Sequence, residues 1–281
     1  MPDALLSLLQ PAHLTHVVDV GANPIDGAPP YKSMLSQGLC TVTGFEPQEA
    51  AWHELIQRKG PLETYLPQAL GAGGLATLNE CQYSGWTSLL RPNSAALNVF
   101  PQFQPNAKVI EQIQVHTHKL DDISEVRPFD LLKIDVQGAE MDVFSGATQH
   151  LKNAVAIQTE ISFIALYDNQ PTFGQVDMYL RELGFVPHGF VDIKRWPIAP
   201  LQFHGAAQQS VHQLLEADMV YVKDFVNPDG MSDEQLKQLS LIMHHCYQSH
   251  AVSARCIHCL VDRGALPSES LQRYVDQLNS N

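Results

Sequence analysis

Along the first two-thirds of the chain, short β-branched apolar runs alternate with longer stretches whose apolar residues recur every three or four positions. HVVDVG (16–21) predicts a strand, residues 31–37 a helix, TVTGFEP (41–47) a second strand, and residues 48–59 a helix that Gly60-Pro61 ends. A third strand is expected over 65–70. A fourth, FDLLKIDV (129–136), is followed by a helix over about 139–151, and AVAIQTEIS (154–162) is a fifth strand. A helix over 175–183 ends at Gly184, and FVPHGFVDI and DMVYVKD (218–224) are late strands. Ahead of all these, MPDALLSLLQPAHLTH predicts a short helix with Asp3 near its start and Pro11 just past its end. Strand-helix alternation of this kind predicts an α/β fold, a doubly wound and mostly parallel sheet covered on both faces.

The pattern changes after Asp224. VNPDGMSDE (226–234) is a linker, and Ser232 with Gln235 three residues on forms a capping-box signature. The text is then helical to about Gln277, with breaks near Gly264 and Pro267. The expected division is a main domain over 1–225 and a small C-terminal helical appendage of two or three helices over 226–281. That appendage is expected to serve docking or a homo-oligomer. It also holds Cys246, His250, Cys256 and Cys259, four residue types that bind zinc. No turn residues frame them, and Leu236, Leu239, Ile242 and Met243 follow a helical spacing. A packed helix is expected there, and no metal.

Composition narrows the setting. Seventeen basic against 30 acidic residues give a formal charge of -13, a field that repels nucleic acid and anionic lipid. No apolar run approaches the roughly 20 residues of a membrane span. The N-terminus has no basic region before its apolar patch, so no signal peptide is expected. Five scattered cysteines do not form a disulfide framework, and the expected compartment is the reducing cytoplasm.

In an open parallel sheet, ligands bind beyond the carboxyl ends of the strands. The first strand delivers Asp19, Gly21, Ala22 and Asn23 there. The second delivers Glu46 and Pro47, the third Ala69 and Leu70, the fourth Asp135, Val136 and Gln137, and the fifth Glu160. Four of these five strand ends present a carboxylate. A phosphate site would instead show glycine-rich loops such as G-x-G-x-x-G, which are absent, and this counts against a nicotinamide-dependent oxidoreductase. An acid-lined crevice suits a cationic ligand with hydroxyls, and S-adenosylmethionine has a ribose, an ammonium and a sulfonium but no phosphate. Glu46 stands where such sheets place the acid that accepts from ribose.

VVDVGAN (17–23), GFEP (44–47) and LLKIDVQGAE (131–140), together with THKLDDI (117–123), FSGA (144–147) and EISFIALYDNQ (160–170), resemble the FkbM family of S-adenosylmethionine-dependent O-methyltransferases. The resemblance runs from about Val17 to Val222. It implies a class I, Rossmann-like, seven-stranded sheet with an antiparallel last strand. It implies that Asp19, Gly21, Ala22 and Asn23 approach the methionine moiety and that Glu46 binds the ribose. Ala69 and Leu70 would lie along the adenine, Ser88 beside the cofactor, and Asp135 at the centre. The implied partner is a small-molecule hydroxyl acceptor, a sugar or a secondary metabolite. Losing the hydroxyl proton calls for a base, and Asp135, Glu160, Glu140 and a mobile His are the choices. Two converging carboxylates such as Asp135 and Glu160 would also suit a divalent ion. Tyr83, Trp86 and Tyr167 would shape an acceptor pocket. NPIDGAPPYKS (23–33) is longer and stiffer than the family's usual turn. It leaves open a second reading, a binding or assembly module on the same fold.

Overall fold

A computed structural model describes residues 3–23, 27–200 and 213–279. In chain order the elements are α1 (Ala4–Leu9), β1 (Thr15–Val20), α2 (Lys32–Ser36), β2 (Cys40–Phe45), α3 (Glu49–Arg58), β3 (Glu63–Leu66), β4 (Ala69–Leu70) and β5 (Gly74–Cys81). They continue as α4 (Ser94–Val99), β6 (Val109–His118), β7 (Leu131–Ile134), α5 (Glu140–Ser145), β8 (Ala156–Ser162), α6 (Phe173–Glu182), β9 (Phe185–Trp196) and β10 (Gln213–Lys223). Three helices close the chain: α7 (Asp233–His245), α8 (His250–Asp262) and α9 (Ser270–Asn279).

Seven strands form the main sheet in the order β3-β2-β1-β7-β8-β10-β9. β1 pairs in parallel with β2 and β7, and β8 in parallel with β7, whereas β10 is antiparallel to both β8 and β9. The order reverses at β1, so the carboxyl ends of β1 and β7 open a crevice there. The expected doubly wound, Rossmann-like sheet is therefore present, antiparallel last strand included.

Side-chain alternation assigns each face. Val18, Val20, Leu132, Ile134, Ile157 and Tyr221 pack against Val143 and Phe144 of α5 and Val176 and Leu180 of α6. Val17, Val42, Leu131, Ala156, Val220 and Val222 point the other way, into a core shared with α1, α2 and the C-terminal helices. Leu236, Leu239, Ile242, Met243, Cys256, Ile257 and Tyr274 belong to that same core, so the C-terminal helices roof one face of the sheet. Asp3 caps α1 by accepting from Leu6 N at 2.7 Å, and Ser232 caps α7 in a reciprocal box with Gln235.

Three expectations need correction. The single third strand is two: β3 joins the main sheet, but β4 lies in a separate three-stranded sheet, β4-β6-β5. Pro67, between them, has no N–H for a ladder. That second sheet contains β5 and β6, which the alternation analysis missed. The helix expected to run to 151 stops at Ser145, because Gly146 packs backbone to backbone. A Cβ at Gly146 would lie 2.5 Å from Gly71 O. The chain resumes as a short 3-10 turn, His150–Lys152, whose first amides are tied to Asp121 at 2.9–3.0 Å.

Candidate functional site

The tightest point of the crevice is Gly21. Its φ is +76°, and a Cβ there would lie 1.9 Å from Asp135 O. Gly21 N and Ala22 N both donate to Phe45 O at 3.0 Å, and Asp135 N donates to Val20 O at 3.0 Å. Only a glycine lets the β1 loop turn while the β7 loop lies against it.

A narrow cleft runs from this point between β1, β2 and the second sheet. One wall is Gly21, Asn23, Glu46 and Pro47; the other is Ala69, Leu70, Ser88, Asp135, Val136 and Gln137. Ten of the twelve residues expected to contact the cofactor thus meet in one cleft. The other two, Asp19 and Ala22, line an adjoining cavity, which shares Asn23 and Asp135 with the cleft. Sequence reasoning missed Phe45, Leu78 and Gln68 on the cleft walls. Gln68 was legible as a polar residue after Pro67, at the break between two strands.

The cleft mixes apolar side chains with polar ones that include Glu46 and Asp135, and no Lys, Arg or His is among its described lining residues. Glu46 is buried, its Oε1 accepting from Gln48 N at 2.8 Å, and burial pushes its carboxyl up to about 7. Gln68 Oε1 is buried with no hydrogen-bond partner, as is Asp19 Oδ1. Asp19 Oδ2 accepts from Tyr31 Oη at 2.5 Å, while Lys133 Nζ, 3.4 Å from Oδ1, donates to Gly21 O at 3.3 Å. Burial raises the Asp19 carboxyl, outweighing the nearby Lys133. A ligand that brings several donors and positive charge fits this set. One that brings phosphate does not.

The three carboxylates expected to act differ in what holds them. Asp135 Oδ1 accepts from Gln137 Nε2 at 2.6 Å, and Gln137 is itself pinned. Its backbone O accepts from Ser88 Oγ at 2.7 Å, its Oε1 accepts from Tyr167 Oη at 3.2 Å, and its φ is +56°. Glu160 is buried at the end of β8, and its Oε2 accepts from Lys194 Nζ at 3.1 Å. The same ammonium bonds Glu216 Oε1 at 2.9 Å. Burial, then Glu216, drives the Glu160 carboxyl upward. Glu140 does not face the crevice. Its Oε1 accepts from Val136 N and Gly138 N, both at 3.1 Å, and it lines neither cavity. As a buried first-turn acid it braces the loop that carries Asp135, and burial lifts it to about 7.

Trp86 and Tyr167 stand 5.7 Å apart in an aromatic cluster with Phe103 and Trp196, whereas Tyr83 is exposed. Of the long loop, Pro24 to Asp26 lie outside the described residues, and Tyr31 reaches Asp19. Among the described residues, no three His, Cys, Asp or Glu side chains converge as a metal cluster. Cys256 and Cys259 are buried in α8.

A family model described as the methyltransferase FkbM domain matches residues 19–187, more than half of the chain. The chain belongs to the FkbM methyltransferase family. It is therefore an enzyme of methyl transfer, and the matched span covers the crevice from Asp19 through Glu160. Among solved structures, this FkbM chain is similar to magnesium protoporphyrin IX methyltransferase from Synechocystis PCC 6803 with bound SAM. The two are 11% identical over 78% of this chain and 76% of that chain, with a TM-score of 0.38. It is also similar to a methyltransferase FkbM from Methylobacillus flagellatus KT, at 11% identity and a TM-score of 0.40. That match covers 74% of this chain but 43% of the other. No curated protein matches. The family assignment rests on the sequence match, not on these distant likenesses.

Proposed function

We propose that this FkbM enzyme is an S-adenosylmethionine-dependent O-methyltransferase whose acceptor is a hydroxyl of a sugar or secondary metabolite. The observation that carries the reading is the place of Asp135. It lines both the narrow cleft and the adjoining larger cavity. Bound in the cleft, the cofactor supplies an electrophilic methyl carbon on a sulfonium. In this reading Glu46 accepts from the ribose hydroxyls, Gln68 Oε1 from the adenine amine, and Asp19 Oδ1 from the ammonium. Each supplies an acceptor where the ligand supplies a donor, which is the match that buried polar atoms need.

Methyl transfer is an in-line displacement, so placement dominates the barrier. Gln137 holds Asp135 Oδ1, which directs Oδ2 to the acceptor hydroxyl. Were the acceptor oxygen to take the methyl as the sulfur–carbon bond breaks and the neutral thioether leaves, Asp135 Oδ2 would take the hydroxyl proton. Glu160 takes no proton role here, because Lys194 already engages it.

The reading also places the enzyme in the cytoplasm. Five unpaired cysteines support this, and no helix among the described residues is long and apolar enough to cross a membrane. The test is incubation with methyl-labelled S-adenosylmethionine and a pool of hydroxylated small molecules. Label should appear in an alkali-stable methyl ether, and Asp135→Asn should slow its formation by about 100-fold or more. Label that appears on nitrogen or carbon, or none at all, would sink the O-methyl reading.

A further inference from the structure

Strands inside a parallel sheet, covered on both faces, are ordinarily apolar along their length. β7 lies between β1 and β8 and reads LLKI. Leu131, Leu132 and Ile134 are fully buried, and Lys133 stands among them with a side chain only 17% exposed. Taking an ammonium out of water is costly unless nearby groups offset the loss.

Lys133 is in register with Asp19 of β1 on one side and Gln158 of β8 on the other. Its Nζ donates to Gly21 O at 3.3 Å and lies 3.4 Å from Asp19 Oδ1. Both contacts are with the end of β1. Gly21 is thereby held at three points: N donates to Phe45 O, Cα faces Asp135 O too closely for a Cβ, and O accepts from Lys133. Ala22 N also donates to Phe45 O, so the peptide after Gly21 is fixed at both its oxygen and its nitrogen. A side chain rooted in β7 thus sets the direction of the β1 loop.

The charge on that side chain acts separately. Asp19 Oδ2 accepts from Tyr31 Oη, which brings no charge. Around Asp19 stand Lys133 from β7, Asp135 beyond β7, Tyr31 before α2, Glu46 beyond β2 and Tyr65 from β3. Lys133 is the cation of that set. Its field also reaches Glu46, and Asp218 on β10, which Lys194 faces as well. Burial favours the protonated forms of these acids, and the Lys133 ammonium favours the ionised ones.

We propose that Lys133 is a positioning residue for methyl transfer: it pins the Gly21 carbonyl and is the internal counter-charge of Asp19 and Glu46, so that a fixed loop and two carboxylates await the cofactor. This rests on the reading of Asp19 and Glu46 as cofactor-binding residues. Without the ammonium, both acids keep their protons to higher pH, and the donors of the cofactor meet weaker acceptors until the pH is raised.

The test is calorimetric titration of S-adenosylhomocysteine between pH 6 and pH 9. Lys133→Gln keeps a donor toward Gly21 O but removes the charge, Lys133→Met removes both, and Lys133→Arg keeps the charge. Lys133→Gln should bind about fivefold more weakly than the unsubstituted protein at pH 7 and within about twofold of it at pH 9, its midpoint raised by about one pH unit. Lys133→Met should show the same displacement together with a loss that persists at pH 9. Lys133→Arg should leave the midpoint in place. Lys223→Met, which removes a partly buried ammonium bonded to Leu183 O at 2.8 Å, is the control and should leave the profile unmoved. Thermal midpoints report folding, and Lys133→Gln carries the test if Lys133→Met does not fold. Full affinity at pH 7 in the neutral variants, a loss of equal size at every pH, or a midpoint moved as far by Arg as by Gln would overturn the proposal. Failure of both neutral variants to fold would make Lys133 a brace of the fold and overturn it too. No binding to the unsubstituted protein at any pH would overturn the cofactor reading itself, whereas normal binding there beside any of those failures would overturn only the role of Lys133.

Discussion

Replacing Gly21 by alanine concentrates two costs that the structure separates. The first is conformational: φ is +76°, and a left-handed non-glycine residue costs about 1–2 kcal/mol. The second is steric. The added Cβ meets Asp135 O at 1.9 Å, and that oxygen is backbone, so one loop must move. Overpacking of this kind costs about 1–3 kcal/mol, for a total of about 2–5 kcal/mol. At roughly 2–4 °C per kcal/mol for a protein approaching this size, the midpoint should fall by about 4–20 °C. Gly38 is the control. Its φ is +71°, but a Cβ there meets nothing within 4 Å, so Gly38→Ala carries only the first cost. Thermal unfolding of the two variants, side by side, is the assay. S-adenosylhomocysteine binding should fall with Gly21→Ala and hold with Gly38→Ala, because only the former displaces the Asp135 loop. Equal midpoint shifts for the two variants would refute the claim that loop-to-loop contact, rather than φ, is why position 21 is glycine.

Three further outcomes are expected. Glu46 is raised to about 7 by burial, so its folded form keeps a proton that the unfolded chain releases. The stability tied to it is fully present below the usual carboxylate range and is lost as pH rises toward 7. Cofactor binding should move oppositely, since ribose hydroxyls donate to the ionised form. Affinity at pH 6 should be about tenfold below its plateau at pH 8, and Glu46→Gln should flatten that profile in calorimetry. Tyr31→Phe strips Asp19 Oδ2 of its 2.5 Å partner and should cost about 1–3 kcal/mol in denaturant unfolding at neutral pH. Ser232→Ala removes the cap of α7 and should cost about 0.5–2 kcal/mol, with cofactor affinity unchanged.

What the sequence made legible follows from how local its signals are. The strand carrying Asp19, the acid of GFEP and the run ending in Asp135 each carry a contiguous pattern, and the structure gathers them around the cleft and its adjoining cavity. The Ser232 box was equally local. β5 and β6 were missed because most of VIEQIQVHTH stays exposed, so its apolar and polar positions do not sort into two faces. The break at Pro67 was visible in the text. That β4 would leave the main sheet for another is a tertiary choice, which no window of residues reports. Glu140 shows the other limit. An acid two residues after Gly138 reads as part of a site, yet its oxygen serves two loop amides, and only the fold shows which way it turns. Lys194 was invisible for the same reason. It lies 34 residues from Glu160 and meets it only through the pairing of β8, β10 and β9.

The most direct test of the account is calorimetric titration of S-adenosylmethionine into the purified chain, with Glu46→Ala and Asp19→Ala in parallel. The account predicts binding of the micromolar class, on the order of 8 kcal/mol, that both substitutions weaken severely while the chain stays folded. Full-strength binding in both variants, or no heat with the unsubstituted chain, would contradict the assignment of the cleft between Gly21, Glu46 and Asp135 as the cofactor site.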